Sequence, residues 1–217
     1  MERKFNFSEG EYYHVYNRGV EKRDIFLDDN DRKRFQRMLF IANGTKPVVY
    51  KTIQGLPLEE IERGKEVTAI GAYCLMPNHF HLLLKETKRG GISKFLAKLT
   101  TGYSMYFNTR HEHKGTLFQG VFQAKHIDDD AYLKYVFSYI HLNPIKLIEP
   151  GWKEGGIRNR KKAEEYLAKF PYSSYTDNIG KNRIEKAILD PEEFPEYFKT
   201  PRDFHTEITD WLAYQEE

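Results

Sequence analysis

The chain has 217 residues, of which 40% are hydrophobic and 30% are charged, with a formal net charge of +2. This composition is typical of a water-soluble globular protein, and no apolar run approaches the roughly 18 residues that a membrane span needs. A single cysteine, Cys74, excludes an internal disulfide framework and a cysteine-based zinc site. We therefore expect a cytoplasmic protein that does not act at a membrane.

Charge is distributed unevenly along the chain. Residues 85–126 contain eight Lys or Arg against two acidic residues, whereas residues 185–217 contain three basic against ten acidic residues. The basic stretch favours a polyanionic partner, and the 30 Phe and Tyr residues offer rings on which unpaired bases can stack. A merely solvated charged surface is the alternative interpretation of the charge alone.

The first predicted element is a strand at residues 12–18, which are β-prone and are followed by Gly19. Because strand side chains alternate between faces, His14, Tyr16 and Arg18 share one face. Arg18, at the end of the strand, suits either a bidentate contact to a phosphate or a carboxylate partner.

The next elements are a helix and two strands. Capping residues and helical spacing of apolar side chains predict a helix over residues 28–43. Residues 44–66 contain two prolines and three glycines, which indicates an insertion or flap. Residues 67–76 and 79–84 predict two strands joined by a turn at residues 77–78 into an antiparallel hairpin.

The second strand of this hairpin begins His-Phe-His. On a strand, His79 and His81 face the same way and Phe80 faces the other. Two neutral imidazoles on a rigid strand form half of a divalent-metal site. Because histidine pairs with ordinary hydrogen-bonding roles are common, the metal interpretation needs a third ligand and a reacting group.

Two elements follow the hairpin. An apolar stripe predicts a helix from residue 92 to Arg110. After a polar, basic loop, residues 117–125 predict a further strand with a bulge at Gly120.

The last clear helix carries the candidate reacting group. Acidic capping residues begin it at residues 128–130, and Pro144 is expected to stop it. Tyr139 and Asn143 lie one turn apart on one of its faces, and Tyr135 lies one turn before Tyr139. Beyond Pro144 the periodicity is weak.

These residue types suit phosphoryl transfer. A divalent cation held by two imidazoles and one amide or carboxylate oxygen keeps positions open for a scissile phosphate and stabilises charge on the leaving oxygen. A tyrosine phenol can attack the phosphorus and form a covalent phosphotyrosine. With a pKa of about 10, the phenol is also a leaving group, so the step is reversible, as strand transfer requires.

Five motifs occur between about residue 11 and residue 176. They are residues 14–19 (HVYNRG), 76–83 (MPNHFHLL), 115–120 (GTLFQG), 139–144 (YIHLNP) and 172–175 (YSSY). Together, and in this order, they resemble the single-tyrosine HUH transposases, and most closely the branch associated with repetitive extragenic palindromes, the REP-associated tyrosine transposases.

The resemblance implies an α+β fold with a ferredoxin-like antiparallel sheet, and a metal site and nucleophile. His79 and His81 match the metal-binding pair, and Tyr139 matches the nucleophile, with Tyr135 as its rival. Asn143 occupies the position of a third ligand, although it could instead cap its helix. Mg²⁺ or Mn²⁺ is the implied cofactor.

The implied activity is an endonuclease and strand transferase acting on single-stranded DNA with hairpins. Two other functions are kept open, a hairpin-binding protein without catalysis and a metal-dependent nuclease that uses water. Related proteins work as dimers or monomers, so both states remain open. Four residues are expected to contact DNA phosphates: Arg18, Arg110, Lys114 and Lys125.

The chain is expected to divide once. Residues 1–150 would form the catalytic domain, with residues 44–66 as its insertion or flap. Residues 151–217 would form an acidic C-terminal extension packed at the periphery.

Overall fold

A four-stranded antiparallel sheet forms the centre of the computed structural model, which describes residues 6–213, the side chains at positions 153, 209 and 211–213 excepted. The strands are β1 (Tyr12–Arg18), β2 (Ala69–Met76), β3 (His79–Lys85) and β4 (Gln123–Ile127). Their spatial order is β2-β3-β1-β4, and every neighbouring pair is antiparallel.

The helices are α1 (Asp29–Ala42), α2 (Gly91–Arg110), α3 (Asp130–Leu142), α4 (Trp152–Gly155), α5 (Arg160–Lys169), α6 (Tyr175–Asn178) and α7 (Pro201–Ala213). Short 3₁₀ turns lie at Val20–Lys22, Tyr50–Ile53, Leu58–Glu60, Asn143–Leu147, Ile184–Ile188 and Pro191–Glu193. With α1 between β1 and β2, and α2 between β3 and β4, the connections are ferredoxin-like. The predicted α+β fold is therefore confirmed.

The two faces of the sheet have separate hydrophobic cores. Phe80 and Leu82 of β3 belong to the core formed with α1 and α2, which includes Phe35 and Tyr103. Leu83, on the alternate face, belongs to the core formed with α3 and the C-terminal segment. Because His79 and His81 share the face of Leu83, the α3 side of the sheet receives both histidines.

The strand predicted at residues 117–125 is shorter and later than expected. Leu117 and Phe118 are buried in the α1–α2 core, and the backbone N–H of Gln119 donates to the carbonyl of Arg18 at 2.7 Å. Gly120 then turns the chain with a φ of +67°. Residues 117–119 thus follow the end of β1, and the regular strand β4 starts only after this turn.

The C-terminal segment covers the outer edge of β2. The N–H of Leu75 donates to the carbonyl of Tyr172, and the N–H of Ser174 donates to the carbonyl of Tyr73. Tyr175 and Phe204 are fully buried in the α3-side core. The domain boundary at residue 150 stays a prediction.

None of the described helices combines the length and the apolar character that crossing a membrane would require.

Candidate active site

A cavity of about 620 Å³ lies on the α3 side of the sheet, where the histidine pair emerges. Its lining residues are His14, Tyr16, Asn17, Arg18, His79, His81, Gln119, Gln123, Lys125, Tyr139 and Lys146. Three of these side chains are cationic and none is a carboxylate. The lining is therefore suited to an anion such as a phosphate.

The histidine pair sits on a central strand. β3 is paired on both sides, with His81 opposite Tyr16 of β1 and opposite Cys74 of β2. The rings of His79 and His81 lie on the same face with their centroids 4.9 Å apart, as the alternation predicted. Pairing on both edges holds the two imidazoles on a rigid frame.

Both imidazoles use their Nδ1 atoms for hydrogen bonds. His79 Nδ1 lies 2.6 Å from the side-chain oxygen of Asn78, and His81 Nδ1 lies 2.9 Å from His14 Nε2. Burial lowers the pKa of His79 to about 4, and the nearby charges of Arg18 and Lys146 add to this effect. His79 is therefore neutral near pH 7, the form in which imidazole binds metals.

Tyr139 faces the histidines from α3. The side chain of Asp129 accepts a hydrogen bond from the N–H of Tyr132 at 2.7 Å, which fixes the start of this helix. The Tyr139 ring centroid then lies 5.8 Å from that of His81 and 5.9 Å from that of His14.

The structure separates Tyr139 from its rival. Tyr135 stacks on the outer side of the Tyr139 ring, with centroids 6.0 Å apart, and is 39% exposed. It does not line the cavity that holds the histidine pair. Of the two tyrosines, only Tyr139 is placed beside His81.

Asn143 is buried one turn beyond Tyr139. Its side-chain Nδ2 donates to the carbonyl of Tyr139 at 2.9 Å, whereas its Oδ1 is buried without a hydrogen-bond partner in the described part of the chain. Leaving a buried acceptor unsatisfied costs roughly 1–3 kcal/mol, and a cation would satisfy it.

Asn143 does not line the cavity that holds the histidine pair. Its Oδ1 is the amide oxygen that would complete a set of two imidazoles and one amide oxygen, which suits a hard or borderline divalent ion. Among the residues described, no group of three His, Cys, Asp or Glu side chains is arranged to hold a metal. That Asn143 supplies the third donor stays a prediction.

The structure places two of the four predicted phosphate contacts at the cavity and the other two away from it. Arg18 and Lys125 are exposed and line the cavity. Arg110 instead donates to both carboxylate oxygens of Asp28, at 2.8 and 2.6 Å, and to Asp31 at 2.6 Å. Lys114 is exposed in the loop after α2 and does not line the cavity.

Lys146 and His14 are among the lining residues to which the sequence analysis gave no role. Lys146 follows Pro144, where the helix was expected to stop, but the 3₁₀ turn Asn143–Leu147 carries its Nζ to 5.7 Å from the Tyr139 ring centroid. The sequence analysis put His14 on the same strand face as Arg18, and this shared face was the signal that could have assigned His14 to the site. Its contact with His81 depends on strand register, which one sequence does not specify.

Comparisons with known proteins found one matching family model and a similar fold. Residues 57–143 match the family model of the IS200-like transposases. The fold is similar to a solved structure described as a REP-associated tyrosine transposase bound to a REP hairpin, with 16% identity and a TM-score of 0.51. That match covers 85% of this chain and 90% of the other. No protein of curated function matches the sequence significantly.

Proposed function

Because residues 57–143 match the family model of the IS200-like transposases, we propose that this chain nicks and rejoins single-stranded DNA through Tyr139. The observation that carries the proposal is the single cavity onto which Tyr139, His79 and His81 face, lined by three cations and no carboxylate. A nucleophile, candidate metal ligands and phosphate-binding charges are thus within reach of one scissile phosphate.

The proposed reaction is a direct phosphoryl transfer. The Tyr139 hydroxyl oxygen attacks the phosphorus and gives up its proton, while the bond from phosphorus to the 3′ oxygen breaks and that oxygen takes up a proton. The products are a 5′-phosphotyrosine and a free 3′ hydroxyl. In the reverse direction, a 3′ hydroxyl of another end attacks the phosphotyrosine and rejoins the strand.

Protein groups orient this reaction. Arg18 and Lys146 line the cavity together with His79, both lower the pKa of His79, and both would hold the phosphate oxygens. A Mg²⁺ or Mn²⁺ ion held by His79, His81 and Asn143 would polarise a phosphoryl oxygen. The rigid strand β3 and the capped helix α3 hold the nucleophile and the candidate ligands at fixed positions relative to one another.

We propose hairpin-containing single strands as the DNA substrate. The support is the fold similarity to a protein whose solved complex contains a REP hairpin. Tyr16, which is 38% exposed, and Tyr135 beside the cavity offer ring surfaces for unpaired bases. Lys125 would contact the backbone of the same strand.

The active site is proposed to work in cis. Tyr139 reaches the His81 ring of its own chain, so one chain holds the nucleophile and the candidate ligands together. We propose that a monomer is competent for cleavage, whether or not two copies associate for strand transfer.

The test is an end-labelled hairpin oligonucleotide with a single-stranded flank, incubated with Mn²⁺ or Mg²⁺ and resolved on a denaturing gel. The wild-type protein should form a metal-dependent covalent adduct that Tyr139→Phe abolishes. Tyr135→Phe is the matched control and should keep the adduct. Cleavage without an adduct would indicate a nuclease that uses water, and hairpin binding without cleavage would indicate a non-catalytic binding protein.

A further inference from the structure

His14 makes a side-chain contact that the proposed reaction does not itself explain. Its Nε2 lies 2.9 Å from His81 Nδ1, and the two rings are nearly parallel with centroids 5.1 Å apart. Both side chains are more than nine-tenths buried. This hydrogen bond requires one proton between the two nitrogens. Whether that proton is bonded to His81 Nδ1 or to His14 Nε2 determines whether His81 can bind a metal through its other nitrogen.

Only one arrangement of this proton lets a neutral His81 bind a metal through Nε2. If His81 Nδ1–H donates and His14 Nε2 accepts, His81 Nε2 carries a free electron pair. If His14 donates instead, a neutral His81 holds its proton on Nε2, and that atom cannot be a ligand. The direction of one hydrogen bond therefore decides whether the site is competent.

His79 shows the same arrangement with a simpler partner. Its Nδ1 faces the side-chain oxygen of Asn78, and Asn78 is itself oriented because its Nδ2 donates to the carbonyl of Lys22 at 3.0 Å. An amide oxygen can only accept, so His79 Nδ1 must carry the proton. His79 Nε2 is thereby left for a ligand.

We propose that His14 is a positioning residue, which accepts the Nδ1 proton of His81 and so holds the His81 Nε2 atom ready to bind a divalent metal. Asn78 would have the same role for His79. The inference rests on the proposed metal-dependent function, but it concerns a residue outside the candidate ligand set. Partners that orient metal-binding histidines typically change metal affinity by 10–100-fold when they are removed.

The first test measures Mn²⁺ binding to the DNA-free protein, by the electron paramagnetic resonance signal of the free ion. His14→Phe keeps a ring but removes the acceptor, so we expect Mn²⁺ affinity to fall by at least about 10-fold. His14→Gln restores an acceptor oxygen and should bind within a few-fold of wild type. The matched control is His126→Phe, because His126 is an exposed histidine on β4. This variant should bind Mn²⁺ as the wild type does.

The second test needs neither metal nor the folding of a variant. Nitrogen-15 NMR of the metal-free wild-type protein should show the Nδ1–H tautomer for His81. An Nε2–H tautomer in the wild type, or unchanged Mn²⁺ affinity in His14→Phe, would overturn the inference. A wild-type protein with the Nδ1–H tautomer that binds no Mn²⁺ would support the His14 contact and instead refute the metal dependence of the proposed function.

Discussion

At the scale of single residues, phosphate binding at the site depends on which cationic side chains already form ion pairs with acidic residues of the protein. Arg110 is held by Asp28 and Asp31, whereas Arg18 and Lys146 line the cavity beside His79. The sequence identified Arg18 and Arg110 equally as phosphate contacts, because both are basic residues near predicted element ends. Only the arrangement of α1 against α2 brings Arg110 to its acidic partners, and a single sequence does not contain that information.

Substituting the two arginines should therefore affect different properties of the protein. Arg18→Ala should weaken DNA binding and reduce the slope of log affinity against log salt by about 1, without a large change in stability. Arg110→Ala should leave DNA affinity nearly unchanged but lower the free energy of unfolding, on the order of 1–3 kcal/mol, because Asp31 is fully buried. Salt-dependent binding and urea unfolding of both variants provide the check. A stable Arg110→Ala protein with impaired DNA binding would contradict this assignment.

Lys146 should act on the chemical step. We expect Lys146→Ala to lower the rate of adduct formation at saturating DNA by about 10–100-fold, or roughly 1.4–2.7 kcal/mol, because a charge beside the reacting phosphate is lost. Lys146→Arg should recover most of that rate. Lys33→Ala, an exposed lysine on α1, serves as the control. Single-turnover kinetics that are equal in Lys146→Ala and wild type would remove Lys146 from the site.

At the scale of elements, α3 begins and ends where the sequence predicted, and it is followed by a turn that the sequence analysis did not predict. The acidic cap and helical spacing predicted α3, with Tyr139 and Asn143 one turn apart, and the structure has this arrangement. Pro144 was expected to stop this helix, and α3 does end at Leu142. Proline is nevertheless tolerated in the first turn of a new helical segment, where its missing N–H is not needed. The chain therefore continues as the 3₁₀ turn Asn143–Leu147.

His141 anchors α3 to the C-terminal segment and makes stability depend on pH. Its Nδ1 lies 2.8 Å from the carbonyl of Phe137, and its Nε2 lies 2.7 Å from the hydroxyl of Ser174. Burial lowers its pKa from 6.5 to about 3. Below pH 6.5 the His141 imidazole is protonated in the unfolded chain but stays neutral in the folded protein. The free energy of unfolding is therefore highest above pH 6.5 and decreases as the pH falls towards 3.

We expect the wild-type free energy of unfolding to fall by on the order of 2 kcal/mol more than that of His141→Gln between pH 6.5 and pH 5, at about 1.4 kcal/mol per pH unit. Urea unfolding of both proteins at the two pH values measures this difference. Carboxylates such as Asp190, whose pKa burial raises to about 6, contribute equally to both proteins. Parallel pH profiles would show that His141 is protonated in the folded protein.

At the scale of the whole molecule, the sheet needs cover on both faces, and the C-terminal segment supplies part of it. The ferredoxin-like core was predictable because strand alternation, helix caps and the hairpin turn are all local patterns. The contribution of residues 172–204 was not predictable, since it depends on backbone pairing with the edge of β2 and on contacts distant in sequence. We propose that the extension stabilises the α3 side rather than forming an independent unit.

Phe204 tests that proposal. It is buried against the rings of His141, Tyr175 and Phe198, at centroid distances of 5.2, 5.3 and 5.4 Å. Phe204→Ala should lower the free energy of unfolding by about 3–5 kcal/mol through the cavity it leaves. Ile184→Ala, at a side chain that is largely exposed, should change stability little. A Phe204→Ala protein as stable as wild type would show that the extension is energetically separate.

The most direct test of the whole account is to identify the amino acid that becomes linked to DNA. The covalent adduct would be digested with nuclease and trypsin, and the peptide of residues 135–146, which contains both Tyr135 and Tyr139, would be fragmented in a mass spectrometer. The account predicts a nucleotide 5′-phosphate on Tyr139 alone. A modification on Tyr135, or on a residue outside this peptide, would contradict it.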